Sequence, residues 1–520
     1  MNTLIASPVR SFMQKIYARL SGVNIPLTFV TTMMVVCFLS FIFMNPELVD
    51  EFAAFWNRLI ANYFAGYLIW VVALVTIFTL LIAFTPYGSL RLGKDNERPE
   101  FSRFSWFSML FGAGVGTGIL FFGVAEPISH LQNNPFLSIE GAEPLSSEAA
   151  IIAQRITLFH WGLNGWACYS VVGLCLGYFS YRKGLPLTIR SALHPIIGDK
   201  IYGIAGDLID LVAVFSTLFG ITVSLGLGAS QMSSGIEYLF GTTITPMFKL
   251  SVVLVVSIIA TVSVVSGLKR GIKFLSETNI WLCLILLSFI LFAGPTIVIL
   301  SSLFSGSLDY ISSVIPLSFW VDPSIEKTWS TSWTLFYWGW WIAWGPFVGM
   351  FMARISRGRT IREYVLGTVI FPVAIGFIWL IVFGATALHI QSSGPGGLVE
   401  AVNEDISQAV FKTYELLNVD WATWLIAFFT TVLIASWFVT SSDSATLIIC
   451  TILCSGERRP PKILRIFWGI IIGLVAGLLL LHGGLSALQT ASTSVAIPFS
   501  VVLIMMIFGL CKALYQTETK

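Results

Sequence analysis

The sequence predicts an all-helical polytopic membrane protein, and three observations carry that prediction. Hydrophobic residues fill 56% of the 520 positions and charged residues only 11%, a balance outside the range of soluble domains. The apolar residues gather into twelve runs, each long enough to cross a hydrocarbon core of about 30 Å as a helix. The basic residues then alternate sides from one connection to the next. The runs span roughly 25–44, 65–85, 105–128, 152–180, 204–239, 247–267, 279–301, 331–353, 364–388, 422–454, 464–482 and 493–513.

Of the 29 Lys and Arg residues, only Arg58, Arg155, Lys249, Lys327 and Lys412 fall outside the two tails and the even-numbered connections. Cytoplasmic loops hold the excess of Lys and Arg, so both termini are predicted to be cytoplasmic. All seven cysteines lie in or at the ends of spans and read as small apolar packing residues rather than a disulfide framework. The five histidines show no metal-ligand spacing. Nor does the chain show a nucleophile–base pair or a nucleotide loop, which argues against an enzyme.

The first two spans carry no breaker and read as peripheral. The third contains Gly112, Gly114, Gly116 and Gly118 at every second position. Each glycine costs a helix roughly 1 kcal/mol against alanine. Packing stripes place small residues four apart on one face, whereas these alternate around the helix. An unwound stretch is expected, with free backbone N–H and C=O groups. Glu126, in Glu126-Pro127, is expected at its outer end. The fourth span holds His160, Trp161, Asn164, Trp166 and Tyr169. Trp166 and Tyr169 share a face, as do Trp161 and Asn164, and His160 reads as a hydrogen-bonding structural residue.

The eighth span reads Tyr337-Trp-Gly-Trp340-Trp341-Ile-Ala-Trp344-Gly345-Pro346. Its indoles sit about 15 Å from Arg354, near the bilayer midplane, although tryptophan normally marks the interfaces. Trp340, Trp344, Tyr337 and Trp341 lie at about 0°, 40°, 60° and 100° around the helix, one aromatic face just before a break expected at Gly345-Pro346. Such a cage suits a quaternary ammonium or other onium head, each ring contributing on the order of 0.5–2 kcal/mol. Backbone N–H groups of Gly114, Gly116 and Gly118 suit a carboxylate. No Lys or Arg lies deep in these spans, so the combination points to an onium zwitterion.

Spans three and eight are five apart. Matching interrupted helices mark the binding site of an inverted-repeat transporter. The expected organisation is therefore a tail (1–24), peripheral helices (25–104), a first repeat (105–303), a second repeat (304–513) and a short tail (514–520). The tenth span contains Thr440-Ser-Ser-Asp443-Ser, hydroxyls that can complete a Na+ shell beside an unwound partner. Asp443, an acid in a membrane span, is functional by default.

These residues resemble the betaine/choline/carnitine transporter (BCCT) family from about residue 25 to 510. The most specific piece runs from Trp340 through Trp344-Gly-Pro346 to Arg354, Arg357-Gly-Arg359 and Glu363. Arg91-Leu-Gly-Lys94, Pro99-Glu-Phe101, Phe159-His-Trp-Gly162, Ser224-Leu-Gly-Leu-Gly228 and Val439-Thr-Ser-Ser-Asp443 support it. The resemblance implies a homotrimer in a bacterial inner membrane with a LeuT-like five-plus-five helix core over spans 3–12. It implies that Trp340, Trp341 and Trp344 line the central box, and that Trp161, Trp166 and Tyr169 form a second aromatic set. It also implies one Na+ site from Thr440, Ser441 and the carbonyls of Gly112 and Val115, and a second from Thr217 and Phe347. The chain departs from the second pattern: Ile221 stands one turn after Thr217, where a hydroxyl would help, and Thr222 points about 100° away. Gly118 stands where choline-type members carry an acid, which favours zwitterions such as glycine betaine, carnitine or dimethylsulfoniopropionate. Na+ symport is expected, with no other cofactor. Exchange of substrate for precursor and proton-coupled choline uptake are the alternatives. The absence of a long charged C-terminal tail favours nutrient uptake over osmotic gating.

Overall fold

The computed structural model describes residues 22–114, 116–266, 269–325, 327–457 and 459–518. Among them the backbone is helical almost throughout, and β-structure is limited to one isolated bridge between Arg91 and Thr360. The principal helices are α1 (Ile25–Met44), α2 (Leu48–Leu59), α3 (Ala65–Phe84), α4 (Arg103–Gly114), α5 (Thr117–Gln132), α6 (Ser147–Trp161), α7 (Leu163–Gly177) and α8 (Ile204–Phe240). They continue with α9 (Pro246–Ser266), α10 (Lys269–Ala293), α11 (Thr296–Phe319), α12 (Phe336–Ile355), α13 (Ile361–Ser393), α14 (Asp420–Leu453) and α15 (Lys462–Glu518). α15 is two helices joined through a kink at Gly484, whose φ of 58° interrupts the helical path. The cysteines are all free.

Eight helices among the described residues are long and apolar enough to cross a membrane. Breaks explain why the third and fourth spans are not among them. The third divides into α4 and α5, of 12 and 16 residues. The fourth divides at Gly162 into α6 and α7, of 15 residues each. The Gly162 break is absent from the sequence expectation. Tyr310 of α11 holds it open: its hydroxyl accepts the Leu163 N–H at 2.9 Å, and a Cβ on Gly162 would strike the phenol. Because of the break, Asn164 does not share a face with Trp161; it donates to Ser318 instead.

Two further expectations need correction. The sequence predicts the seventh span over 279–301, but α10 ends at Ala293 before Gly294-Pro295, and α11 begins anew at Thr296. The break expected at Gly345-Pro346 does not occur, since α12 runs through it. Pro346 removes one N–H and crowds the preceding turn. Packing overrides that cost, because α12 is buried against α7, α8 and α15. Gly345 lets it approach closely: an added Cβ would sit 3.3 Å from Phe499 and 3.4 Å from Val172. The irregularity lies earlier instead, in a π-helical turn over Thr331–Leu335.

The basic motifs form a clasp between two loops. The Leu92 N–H donates to the Arg359 carbonyl and the Gly358 N–H to the Leu92 carbonyl, both at 2.8 Å. The Arg359 guanidinium lies 4.0 Å from the centroid of Trp106 and pairs with Glu363, while the Trp106 indole donates to Ser356. Burial raises the Glu97 carboxyl, but the Lys94 backbone N–H and the Arg357 guanidinium outweigh it and hold the group below the usual carboxylate value.

Gly358 sits at φ +82°, and a Cβ there would lie 2.5 Å from the Arg98 carbonyl oxygen. Gly358→Ala is expected to cost about 1–3 kcal/mol, read as a lower unfolding temperature in detergent. Gly184 has a similar φ (+75°) with open space around it, so Gly184→Ala isolates the backbone strain and should lower the temperature less. Equal falls for the two variants would refute the Arg98 collision.

Candidate functional site

The site grows from the break between α4 and α5. Gly112 and Gly114 close α4 in helical conformation and Gly118 lies inside α5, so of the four glycines only Gly116 stands outside a helix. Val115 lies outside the described residues. Gly116 is extended (φ −122°, ψ −164°) and begins α5. Gly116, Gly118 and Ile119 line one buried cavity together with Trp161, Tyr169, Ser224, Trp340, Trp341 and Trp344. Its volume is about 20 Å³, roughly the space of one water. The rings are closed upon one another in this conformation.

Three helices supply the rings. Trp340 and Trp344 of α12 meet edge-on, with centroids 6.2 Å apart. Trp161 of α6 meets Trp340 at 6.1 Å and Trp341 at 5.8 Å, both edge-on. Tyr169 of α7 lies 4.9 Å from Trp341 and stacks at 6.5 Å on Trp344. Trp166 packs behind, against Tyr169 and Trp341, and does not line the cavity. The three α12 indoles each press on a glycine of a different helix. A Cβ on Gly118 of α5 would strike Trp340, one on Gly165 of α7 would strike Trp341, and one on Gly220 of α8 would lie 2.7 Å from Trp344 Cδ1. No other residue leaves an indole that room.

Indole N–H groups in an apolar interior need acceptors. Trp341 donates to the His160 carbonyl at 3.0 Å and Trp340 to the Gly220 carbonyl at 3.3 Å. Trp161 donates to Glu126 at 3.0 Å. Trp344 Nε1 and Ser224 Oγ are buried with no partner, so the chamber carries two unspent polar groups. Ser224 lies outside the site expected from the sequence. The only signal for it was the Ser-Leu-Gly-Leu-Gly pattern, in which the glycines admit neighbours and the serine faces the chamber.

Glu126 is not at an outer helix end. It is fully buried in α5 and gathers donors from two other helices. Tyr337 Oη lies at 2.5 Å, Trp161 Nε1 at 3.0 Å and His160 Nδ1 at 2.6 Å. With Glu126 ionised the carboxylate only accepts, so His160 carries its proton on Nδ1 and accepts from Thr334 at Nε2, 2.9 Å away. Tyr337 therefore belongs to this network and not to the box face: it stacks on His160 at 4.6 Å. Both ring nitrogens of His160 are engaged in hydrogen bonds.

The hydroxyl segment of α14 lies against the α4–α5 junction. A Cβ on Gly116 would stand 3.9 Å from Ser441 Oγ and 3.7 Å from Trp344. Thr440 donates to the carbonyls of Ser436 and Trp437 at 3.0 and 3.1 Å, and Thr217 to that of Ala213 at 2.9 Å. This is back-bonding within the helix, but it spends only the hydroxyl proton and leaves lone pairs for a cation. Phe347 packs on Trp344 at 5.4 Å. Asp443 accepts from Ser263 at 2.5 Å, which ties α14 to α9.

Comparison with known proteins places these residues in context. The profile of the BCCT, betaine/carnitine/choline family transporter, matches residues 26–519. The glycine betaine transporter OpuD of Bacillus subtilis is 40% identical over 479 residues, covering 92% of this chain and 91% of that protein. The ectoine/hydroxyectoine transporter of Virgibacillus pantothenticus is 39% identical over 458 residues, covering 88% and 90%. The osmo-dependent choline transporter BetT2 of Acinetobacter baylyi is 41% identical over 463 residues, covering 88% and 66%.

The glycine contacts set the geometry of the box. Gly118→Ala should push Trp340 off its seat at a cost of about 1–3 kcal/mol, shifting the intrinsic tryptophan emission maximum and the iodide quenching profile. Gly66 has nothing within 4 Å of an added Cβ, and Gly66→Ala should leave both unchanged. Indistinguishable emission from Gly118→Ala and the unsubstituted protein would refute the contact.

Proposed function

The chain belongs to the betaine/carnitine/choline transporter family, and from that premise we propose that it takes up betaine-like onium zwitterions by Na+ symport with alternating access. It is a multi-pass membrane protein and a transporter, not an enzyme. The observation that carries the substrate reading is the closed ring chamber with a broken helix at its floor. Five indole and phenol rings converge from α6, α7 and α12, and such faces attract a cationic head. The Gly116 break, Ser224 Oγ and the unpartnered Trp344 N–H supply donors for a carboxylate at the same place. Gly118 brings no acid, and any side chain there would displace Trp340. A bare cation therefore finds no counter-charge on this wall, while a zwitterion carries its own.

The substrates named for the relatives are glycine betaine, ectoine and choline, all at 39–41% identity. Overall identity does not rank them, and the chamber favours glycine betaine or another small onium zwitterion, including sulfonium compounds. For the coupling ion, the reading rests on Thr440 and Ser441 with lone pairs beside the Gly116 junction, and on Gly112 and Val115 as carbonyl donors. Thr217 and Phe347 would hold a second ion only with help from water, because Ile221 offers no oxygen.

The finer architecture belongs to the same proposal. Twelve spans follow when α2–α3, α4–α5 and α6–α7 each count as one crossing, α15 counts as two and α11 lies outside the membrane. Residues 105–303 and 304–513 then form the two repeats, with residues 25–104 peripheral. The basic clasp faces the cytoplasm with both termini, as the charge alternation requires, and the protein works as a homotrimer in the inner membrane. The chamber at about 20 Å³ is too small for a betaine, so loading requires the α12 rings to part from α6 and α7.

Uptake of labelled glycine betaine into proteoliposomes under an inward Na+ gradient should be saturable and concentrative. Replacing Na+ with K+ should abolish accumulation; unchanged uptake would refute the coupling. Trp344→Ala should weaken apparent affinity roughly two- to thirtyfold, the loss of one ring contact. Unchanged affinity would remove Trp344 from the box. Ser441→Ala should lower the affinity for Na+ more than that for betaine.

A further inference from the structure

The sequence gives no metal-ligand spacing, yet folding brings Glu126, His130 and His160 together. One ligand atom from each lies within 4.8 Å of the other two, and all three residues are fully buried. His160 Nδ1 is 2.6 Å from Glu126 Oε1, and His130 Nε2 is 3.4 Å from the same oxygen. Glu126 and His160 have partners that account for them. His130 does not: neither ring nitrogen makes a hydrogen bond. A buried imidazole whose Nδ1 is unpaired and whose Nε2 has only a long 3.4 Å contact to a carboxylate oxygen is poorly satisfied.

The approach to the cluster suits a cation. A vestibule of about 950 Å³ opens beside it, lined by Gln132, Asn134, Glu143, Asp322 and Trp329 among others. Acidic groups in a cleft raise the local concentration of cations. The Trp329 ring centroid lies 5.4 Å from His130 and 6.2 Å from His160. Trp329 thus borders both the vestibule and the ligand cluster.

We propose that Glu126, His130 and His160 form a binding site for a divalent transition metal of the Zn2+ type, entered from the vestibule past Trp329. Two imidazoles and a carboxylate are a Zn2+ donor set. Ligands about 2.0–2.2 Å from a tetrahedral ion stand roughly 3.3 Å apart, so the three atoms reach that spacing by shifts of about an ångström. The consequence follows from what Glu126 and His160 already hold. A metal on Glu126 Oε1 and His160 Nδ1 replaces the direct bond between them and ties α5 to α6, with the imidazole proton moving to Nε2 and donated to Thr334. Trp161 and Tyr337 donate to the other carboxylate oxygen, Oε2, and the Trp341 indole donates to the His160 carbonyl. The ion thus fixes the carboxylate that joins Tyr337 of α12 to Trp161 of α6, so it resists the parting of α12 from α6 and inhibits transport without entering the box.

The test uses the purified full-length protein and Co2+ as a spectroscopic stand-in. The expected result is visible d–d absorption saturating at one ion per chain and displaced by Zn2+. His130→Gln should weaken binding at least tenfold. His130→Cys should keep the ion and add a thiolate-to-cobalt charge-transfer band, which a merely structural role for His130 cannot produce. His194 lies 3.5 Å from Asp199 on the surface, and His194→Asn should change nothing. In proteoliposomes, micromolar Zn2+ on the vestibule side should inhibit uptake reversibly by chelator, with His130→Gln resistant. Absence of a Co2+ spectrum in folded protein, loss of binding in His194→Asn, or a His130→Cys spectrum without the charge-transfer band would each overturn the proposal. Co2+ binding is read without substrate, so it stands or falls separately from the transport reading.

Discussion

A carboxylate buried among helices has to collect hydrogen-bond donors, and much of this structure follows from how Glu126 does so. An ionised group without partners in an apolar interior costs several kcal/mol or more. Glu126 meets that demand with a phenol from α12, and an indole and an imidazole from α6. Those donors are not isolated. Trp161 is itself a wall of the chamber, Tyr337 lies one turn from Trp340 and Trp341, and His160 offers its carbonyl to the Trp341 indole. Satisfying one acid fixes three elements of the aromatic site at once, and the proposed metal site uses the same junction.

The second constraint is steric. Indoles are the largest side chains, and three of them in five positions of one helix cannot be accommodated by ordinary neighbours. Glycines at 118, 165 and 220 give each ring a seat on a different helix. The glycine-rich third span therefore does two separate things. Gly116 supplies the extended residue at the helix break, while Gly118 is already inside α5 and serves by having no side chain. The close packing leaves about 20 Å³ between the rings, so the site is held closed by the contacts that define it. Opening it means separating helices rather than rotating single side chains.

The hydroxyls of α14 illustrate how a conventional local arrangement and a functional one coexist. Thr440 bonds back to its own helix, as a lone threonine in an apolar helix does. The bond orients the lone pairs, and Ser441 stands beside the backbone of Gly116. Asp443, by contrast, is engaged by Ser263 and joins two helices. The residues around Gly358 serve packing in the same way: Arg359, despite its charge, is 1% exposed because Trp106, Glu363 and the Phe101 carbonyl receive it.

Periodicity and hydropathy need no tertiary information, so the sequence by itself determined the helical membrane class, the positions of most long helices and the aromatic face of Trp340, Trp341 and Trp344. The family motifs pointed to the correct family for the same reason: they are local strings. What the sequence misjudged depends on neighbours. Pro346 looked like a break, but burial against three helices carries α12 through it, whereas Gly162 looked innocuous and breaks because Tyr310 arrives from α11. Tyr337 shares the box face by angle alone, yet a carboxylate on another helix draws it away. The glycine seats at 165 and 220 and the convergence of Glu126, His130 and His160 were invisible, because each joins residues far apart in the chain. Helical spacing is a property of the chain; which side chain meets which is decided only when the helices pack.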